Sequence, residues 1–333
     1  MTHGPALVCP ACRAELDIGP GGSHRCGPCR RSYPEVAGIP DLRLTSDRYL
    51  TLDEDRAKAE RLASFEDATF AELVAEYWRM TPEVPPALAA RYAATALDGV
   101  ARGERWMAES GRPEPGSSML DIGCGTGGLL VAAARAGAAV TGVDIALRWL
   151  VIARRRCEEE DVAVRLVAAD GALLPFRHGS FDRTVSFQVL EYAADQPGLL
   201  QSSLLAARPG GEVRLVAANR FSLAPDPAVG LYGTGYLPRR MAVWYVARRR
   251  NTRYHHVRPL SVGGVRALVG LRSDVIVRAG PLPPPPSWAS PRRLMAQAAY
   301  DRLRRRPIAN SLLMRVGPLL EAAGHVDRPV RPR

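Results

Sequence analysis

The chain has 333 residues, 47% of them hydrophobic, which is enough for one full α/β domain with smaller additions. No apolar run reaches the roughly 20 residues that span a bilayer, and no basic and apolar leader opens the chain, so we expect a cytoplasmic protein. The net charge of +11 lies in the C-terminal part, because residues 237–333 hold 20 arginines and 4 acidic residues. Such a basic region predicts an anionic partner: nucleic acid, lipid headgroups or a phosphorylated substrate. Lys58 is the only lysine, which GC-rich codon usage accounts for.

Residues 1–44 are rich in glycine and proline and contain two cysteine pairs, Cys9/Cys12 and Cys26/Cys29. This CxxC–CxxC spacing is typical of zinc ribbons, in which four thiolates surround Zn²⁺ tetrahedrally. A redox function fits poorly, because neither pair begins a helix of a βαβ unit. Four protein ligands leave no open coordination position, so we predict a structural zinc site that the small unit needs in order to fold.

Residues 45–116 form a predicted helical linker or cap, because Ala, Glu, Arg and Leu recur at helical spacing. The spacing breaks near 81–86, which predicts two helices. Three aromatic residues lie at helical spacing here, either in the core or as a cover over a ligand crevice: Tyr77, Trp78 and Tyr92.

Residues 117–280 alternate between short β-type runs and helical runs, which predicts an α/β domain with a parallel sheet and helices on both faces. Within it, residues 220–258 break the alternation and contain aromatic and basic residues, so we interpret them as a substrate-recognition insertion. Residues 281–333 are predicted to form a proline-rich break followed by a basic helical extension.

The strongest local signal is the glycine-rich turn Gly123-Cys124-Gly125-Thr126-Gly127 between a strand and a helix. Glycines in this place let the backbone turn tightly and approach a ligand closely. Asp121 precedes the turn and would repel a pyrophosphate, which disfavours a nicotinamide-dependent oxidoreductase. Its carboxylate suits the ammonium group of S-adenosylmethionine, which carries no phosphate. Asp144 and Asp170 end the next two predicted strands, where acids reach ribose hydroxyls and the adenine amino group.

These motifs make residues 117–220 resemble the class I S-adenosylmethionine-dependent methyltransferases, particularly the ubiquinone and menaquinone biosynthesis branch. The segments that carry the resemblance are LDIGCGTGG, VTGVDI, AADGALLPFRHGSFDRTVSFQVLEY and RPGGEVRLVAANR. The resemblance implies a Rossmann-like sheet of seven strands with the last pair antiparallel, and S-adenosyl-L-methionine as cofactor. The cofactor-binding residues it implies are Asp121, Gly123, Gly125, Gly127, Asp144, Ile145, Asp170, Gly171 and Gln188.

Three residues are candidates for the catalytic base or a substrate contact: Glu191, His255 and His256. Many relatives have Glu-His where this chain has Glu191-Tyr192, so the base is Glu191, one of the two histidines of the insertion, or unnecessary. The Asn-Pro-Pro-Tyr signature of enzymes that methylate planar amines is absent. We therefore expect O-methylation of a small molecule, saccharide or lipid-linked acceptor.

The continuation of the cysteine unit, Tyr33-Pro34 to Gly38-Ile39-Pro40, resembles the small zinc-ribbon family that activates tRNA and protein methyltransferases. Fused to this chain, such a ribbon would act as a chaperone in cis or as a wall on the substrate side. Two other functions remain open: an RNA base methyltransferase that holds RNA with the ribbon and the basic region, and a non-catalytic scaffold. The apolar run Met241–Val246, followed by three arginines, also predicts peripheral contact with an anionic membrane.

Overall fold

The N-terminal segment folds into short paired strands around the cysteine pairs. The computed structural model describes residues 4–270, 274–282 and 290–326. The strands of this segment are β1 (Asp17–Ile18), β2 (His24–Arg25), β3 (Ser32–Tyr33), β4 (Glu35–Val36) and β5 (Ile39–Pro40). The first three form one antiparallel sheet, and the last two form another. Strands this short are marginal on their own, so the segment depends on its cysteine cluster and on packing against the rest of the chain.

The next segment contains four helices instead of the two that the spacing predicts. They are α1 (Leu52–Ala63), α2 (Phe70–Arg79), α3 (Pro86–Leu97) and α4 (Gly99–Ser110). The first break arises from capping boxes: the Thr51 and Thr69 hydroxyls each accept a hydrogen bond from the backbone of a glutamate three residues later, which begins a new helix. The helical spacing of apolar residues continues across such a break, so this spacing does not show where one helix ends and the next begins.

A mixed sheet of seven strands with helices on both faces forms the centre of the described chain. Its parallel part contains β6 (Ser118–Ile122), α5 (Gly128–Arg135), β7 (Ala139–Asp144), α6 (Leu147–Glu159), β8 (Val164–Ala168), β9 (Phe181–Phe187), α7 (Gln196–Ala206) and β10 (Ala207–Ala218). The remaining elements are α8 (Arg239–Arg250), α9 (Val262–Val269), β11 (Val275–Ala279), α10 (Pro291–Arg304), α11 (Pro307–Val316) and β12 (Leu319–His325). The strand order is β11-β12-β10-β9-β6-β7-β8, which confirms the predicted Rossmann-like architecture.

The stretch predicted as a helical extension, 281–333, supplies one strand of the sheet. β12 pairs antiparallel with both β10 and β11. Its sequence, LLEAAGH, has no β-branched residue and resembles a helix more than a strand. Its pairing with two neighbours overrides that local preference. Most of the predicted proline-rich break, 283–289, lies outside the described residues.

The N-terminal unit is joined to the outer edge of the sheet at β8. The Leu42 amide donates to the Ala168 carbonyl at 2.8 Å, and the Val8 amide donates to the Pro175 carbonyl at 3.0 Å. The backbone after the ribbon therefore continues the sheet beside the strand end that carries Asp170. None of the helices in the described part of the chain combines the length and apolar character needed to cross a bilayer.

Candidate functional site

The glycine turn lies between β6 and α5 at the carboxyl edge of the sheet. Gly123, Gly125 and Gly127 have φ angles of 77°, 51° and 76°, in the left-handed region where glycine is favoured. A Cβ at Gly123 would lie 2.2 Å from a methyl carbon of Val189, so no larger residue fits there. The amides of Gly123 and Cys124 both donate to the Val143 carbonyl, at 2.7 and 3.1 Å, which ties the turn to β7.

Asp144 holds the loops after two strands together. Its carboxylate accepts hydrogen bonds from the amides of Gly125 at 2.9 Å and Ala146 at 2.8 Å. Burial raises the pKa of this carboxyl group, and the two backbone amides oppose the rise. The side chain expected to reach a ribose is thus also part of the scaffold that shapes the glycine turn.

Asp121 is a buried carboxylate without a partner among the described residues. Only 3% of its surface is exposed, and no hydrogen bond or ion pair within those residues reaches it. Burial, assisted by the negative charge of Asp144, raises the pKa of Asp121 to about 7. A buried charge needs a counter-charge or a proton. An ammonium group in the adjoining cavity would supply the counter-charge, so the site fits the amino acid part of S-adenosylmethionine.

The other predicted cofactor residues lie on the same sheet edge. Asp170 accepts hydrogen bonds from the Ala172 amide at 2.9 Å and the Thr45 hydroxyl at 3.3 Å. Gly171 permits close packing, because a Cβ there would lie 2.9 Å from Ile122 Cγ2. Gln188 has a φ of 57°, an unusual value for this residue type, and its amide donates to a β10 carbonyl at 2.7 Å. Strained backbone of this kind clusters at ligand sites.

A chamber of about 960 Å³ opens on the glycine turn, whose Gly125 and Thr126 form part of its wall. Its aromatic side chains come from five separate parts of the chain: Tyr49, Tyr77, Trp78, Tyr92, Trp149 and Tyr192. A smaller cavity of about 160 Å³ is lined by Asp121, Gly123 and Phe187. Of the predicted cofactor residues, Gly125 is therefore accessible from the larger cavity and Asp121 and Gly123 from the smaller one, and the larger cavity has room for a second, mainly aromatic ligand.

Both candidate histidines line the chamber, whereas Glu191 does not. His256 is buried, and its Nε2 atom lies within hydrogen-bond distance of the Tyr49 hydroxyl. Burial and the neighbouring His255, Arg48 and Arg239 lower the pKa of His256 to about 4, so its imidazole is neutral at pH 7. A neutral imidazole is able to accept a proton.

Glu191 is buried behind the chamber. One carboxylate oxygen accepts a hydrogen bond from the Ala218 amide at 3.3 Å, and the other has no partner among the described residues. Burial raises its pKa to about 7. Its neighbour Tyr192 is the residue that faces the chamber.

The four cysteines of the ribbon form one cluster. Their Sγ atoms all lie within 4.8 Å of one another, with Cys9 to Cys29 at 3.5 Å and Cys12 to Cys26 at 3.3 Å. A tetrahedral zinc ion with Zn–S bonds of about 2.3 Å separates its sulfur ligands by about 3.8 Å. The cluster is close to that geometry and far from the bond length of a disulfide.

A buried charge network connects the end of the ribbon to the loop after β7. The Arg43 guanidinium contacts Asp41 at 2.7 Å, Asp55 on α1, and the Ile145 carbonyl at 2.8 Å. Asp55 also accepts a hydrogen bond from the Leu147 amide at 2.9 Å. This network fixes the backbone on the C-terminal side of Asp144, and sequence analysis missed it because its members are far apart along the chain.

Comparisons with known proteins point to one family. A family model described as "Methyltransferase domain" matches residues 120–215. The chain is 32% identical over 178 residues to the ubiquinone biosynthesis O-methyltransferase of Paracidovorax citrulli, over 52% of this chain and 70% of that protein. It is 36% identical over 125 residues to the demethylmenaquinone methyltransferase of Tropheryma whipplei, over 37% of this chain and about half (51%) of that protein.

A solved structure of similar fold is the S-adenosylmethionine-dependent methyltransferase from Mesorhizobium loti. The TM-score is 0.44 at 24% identity, and the match covers 67% of this chain and 97% of that one.

Proposed function

The chain belongs to the class I S-adenosylmethionine-dependent methyltransferases, and on that premise we propose that it methylates a hydroxyl group of a small-molecule, saccharide or lipid-linked acceptor. The observation that carries this proposal is the aromatic chamber on the glycine turn, with the neutral His256 in its wall. The relatives named as an O-methyltransferase and a demethylmenaquinone methyltransferase support a small acceptor.

We assign the cofactor site to the residues around the glycine turn. When bound, S-adenosylmethionine supplies an activated methyl group on its sulfonium. Asp121 would bind the ammonium, Asp144 the ribose hydroxyls and Asp170 the adenine amino group. The glycine turn lets the backbone approach the ligand, because a Cβ at Gly125 would enter open space, whereas one at Gly123 or Gly127 would meet Val189 or Ala153.

We assign the proton acceptor to His256, since Glu191 lies outside the chamber wall. A hydroxyl acceptor beside Tyr49 would pass its proton to the imidazole, either directly or through the Tyr49 hydroxyl. The chamber walls would hold the acceptor oxygen in line with the methyl group, and such positioning of the reacting atoms accounts for much of the rate acceleration in group transfer.

Replacing His256 with Ala is expected to lower kcat for methyl transfer by about 100-fold or more, because a positioned general base contributes on that order. Transfer of a labelled methyl group to a panel of hydroxylated acceptors measures the effect. At saturating cofactor, wild-type kcat is expected to stay level from pH 8 to about 5.5, since a pKa near 4 keeps the imidazole neutral. His178→Ala, an exposed histidine outside the chamber, is the control. Unchanged turnover in the His256 variant would remove this base from the proposal.

We propose that Cys9, Cys12, Cys26 and Cys29 bind a structural Zn²⁺ and that the ribbon acts in cis on the cofactor site. The four thiolates provide the donor set that zinc prefers. The segment from Asp41 to Asp47 leaves the ribbon and enters the charge network beside Ile145. A folded ribbon would thus keep the ribose-binding loop in its shape.

We also propose that α8 contacts an anionic membrane surface. Met241 and Trp244 are 53% and 67% exposed on this helix, beside Arg240, Arg248 and Arg249, which have no hydrogen bond or ion pair within the described part of the chain. A nucleic acid duplex bound through its phosphates would use the arginines but not the exposed apolar side chains, so the combination favours lipid.

The wild-type protein is expected to sediment with phosphatidylglycerol vesicles. The fraction of Trp244→Ser that sediments with them is expected to be at least threefold lower, because an indole at the interface contributes buried apolar area. Leu97→Ser serves as the control, because Leu97 is an apolar residue on α3 that is 53% exposed. Equal sedimentation of Trp244→Ser, or retention by RNA instead of vesicles, would refute the membrane assignment and favour a nucleic acid partner.

A further inference from the structure

Lys58 is an exception in a chain that otherwise uses arginine for its basic side chains. The protein has 45 basic residues, and this is the only lysine. Codon usage that favours arginine explains the other positions but not this one. The structure places Lys58 in the wall of the aromatic chamber. At a position that faces a ligand, lysine and arginine differ chemically, because the ammonium is compact and the guanidinium is broad and planar.

The Lys58 ammonium has few partners in the protein. It donates a hydrogen bond to the Thr81 hydroxyl, which itself donates to the Tyr77 carbonyl at 2.7 Å. It lies 4.5 Å from the centre of the Tyr77 ring. Among the described residues no carboxylate comes within ion-pair distance of it, although it is half-buried and has further N–H groups to donate. Cations in such surroundings are normally paired with an anion.

The side chains around this ammonium are flat and aromatic. The Tyr77 ring lies 4.0 Å from Trp149 and 4.8 Å from Trp78, and Trp78 stacks on Tyr92 at 5.6 Å. Burial and the positive charge of Arg148 lower the pKa of Lys58, and the carboxylates of Glu83 and Asp55, which form no ion pair with it, oppose the fall. The Arg148 guanidinium forms ion pairs with Asp47 and Asp55, whereas the Lys58 ammonium forms none within the described residues. Aromatic walls beside an unpaired cation suit a planar ligand with one negative group.

We propose that Lys58 forms an anion subsite that binds the carboxylate of an aromatic, hydroxyl-bearing acceptor. This inference rests on the proposed function, because the acceptor occupies the same chamber. The aromatic side chains contact the ring, and the ammonium pairs with the carboxylate. The subsite therefore selects hydroxylated aromatic acids over their neutral analogues, and Lys58 is a specificity-determining residue.

The single lysine permits a direct test. Reductive methylation with ¹³C-formaldehyde labels Lys58 and the α-amine, so Lys58 gives the only side-chain signal in the spectrum. With S-adenosylhomocysteine bound, 4-hydroxycinnamate is expected to shift the Lys58 signal, whereas 4-hydroxycinnamamide is not. A signal that responds to neither probe, or equally to both, would overturn the subsite.

Affinity measurements separate this inference from the proposed function. Lys58→Met is expected to weaken binding of 4-hydroxycinnamate at least tenfold and to change binding of the amide less than twofold. Arg61→Met, an exposed cation on the same helix, is the matched control, and binding of S-adenosylhomocysteine reports on folding. If the amide binds as tightly as the acid to wild-type protein, the anion subsite fails and the acceptor chamber stands. If neither binds while S-adenosylhomocysteine does, the anion subsite fails, and the proposed function is then decided by labelled methyl transfer to the acceptor panel.

Discussion

Replacing Asp121 with Asn is expected to weaken S-adenosylmethionine binding by more than about 100-fold. The variant keeps the shape of the side chain but removes the negative charge that would face the ligand's ammonium. Leaving one member of a buried ion pair without its partner costs about 3–5 kcal/mol. Isothermal titration calorimetry measures the change.

The same carboxylate makes cofactor binding depend on pH in wild-type protein. With a pKa raised to about 7, Asp121 carries a proton below that pH when no ligand is bound. The proton must leave before the ammonium binds, so affinity is expected to fall by up to about tenfold per pH unit on the acid side of pH 7. Asp121→Asn should lose this dependence.

Asp182→Asn is the control for Asp121→Asn, since Asp182 is a carboxylate on a strand of the same sheet but at its opposite edge, where it accepts a hydrogen bond from the Ser118 amide at 2.7 Å. Its affinity for the cofactor should match that of wild type. An Asp121→Asn variant that binds S-adenosylmethionine normally would show that the ammonium lies elsewhere.

Removal of zinc is expected to lower the midpoint of thermal unfolding by about 10 °C and to weaken S-adenosylhomocysteine binding at least tenfold. A structural zinc site contributes its binding energy to folding, and the two-residue strands of the ribbon have little other support. The loss would reach the cofactor because Arg43, just after the ribbon, bonds the Ile145 carbonyl next to Asp144. Metal analysis should give one zinc per chain before chelation.

Cys9→Ser tests the site genetically, and Cys157→Ala is its control, because Cys157 is a buried cysteine in α6 outside the cluster. Only the first variant should lose zinc. A protein that keeps both its unfolding midpoint and its cofactor affinity after zinc removal would contradict the proposed coupling of ribbon and cofactor site.

The positions of the candidate cofactor residues and of the cysteine cluster were predictable from the sequence because each lies in a short local motif. The glycine turn begins two residues after Asp121, Asp144 ends β7, and Asp170 follows the end of β8 by two residues in a recognisable strand–helix alternation. In a parallel sheet, residues at strand ends share one edge whatever the details of packing. The paired CxxC motifs likewise specify a ligand set locally.

The acceptor chamber was decided by tertiary structure. Tyr49 and His256 meet although 207 positions separate them, and the packing of three separate helices brings Lys58 beside Tyr77 and Trp149. Neither periodicity nor propensity encodes such distances. The same holds for β12, whose helix-like sequence becomes a strand between β10 and β11. Contacts within a motif are determined by local sequence, whereas contacts between distant segments depend on how the whole core packs, and the acceptor site is built from the second kind.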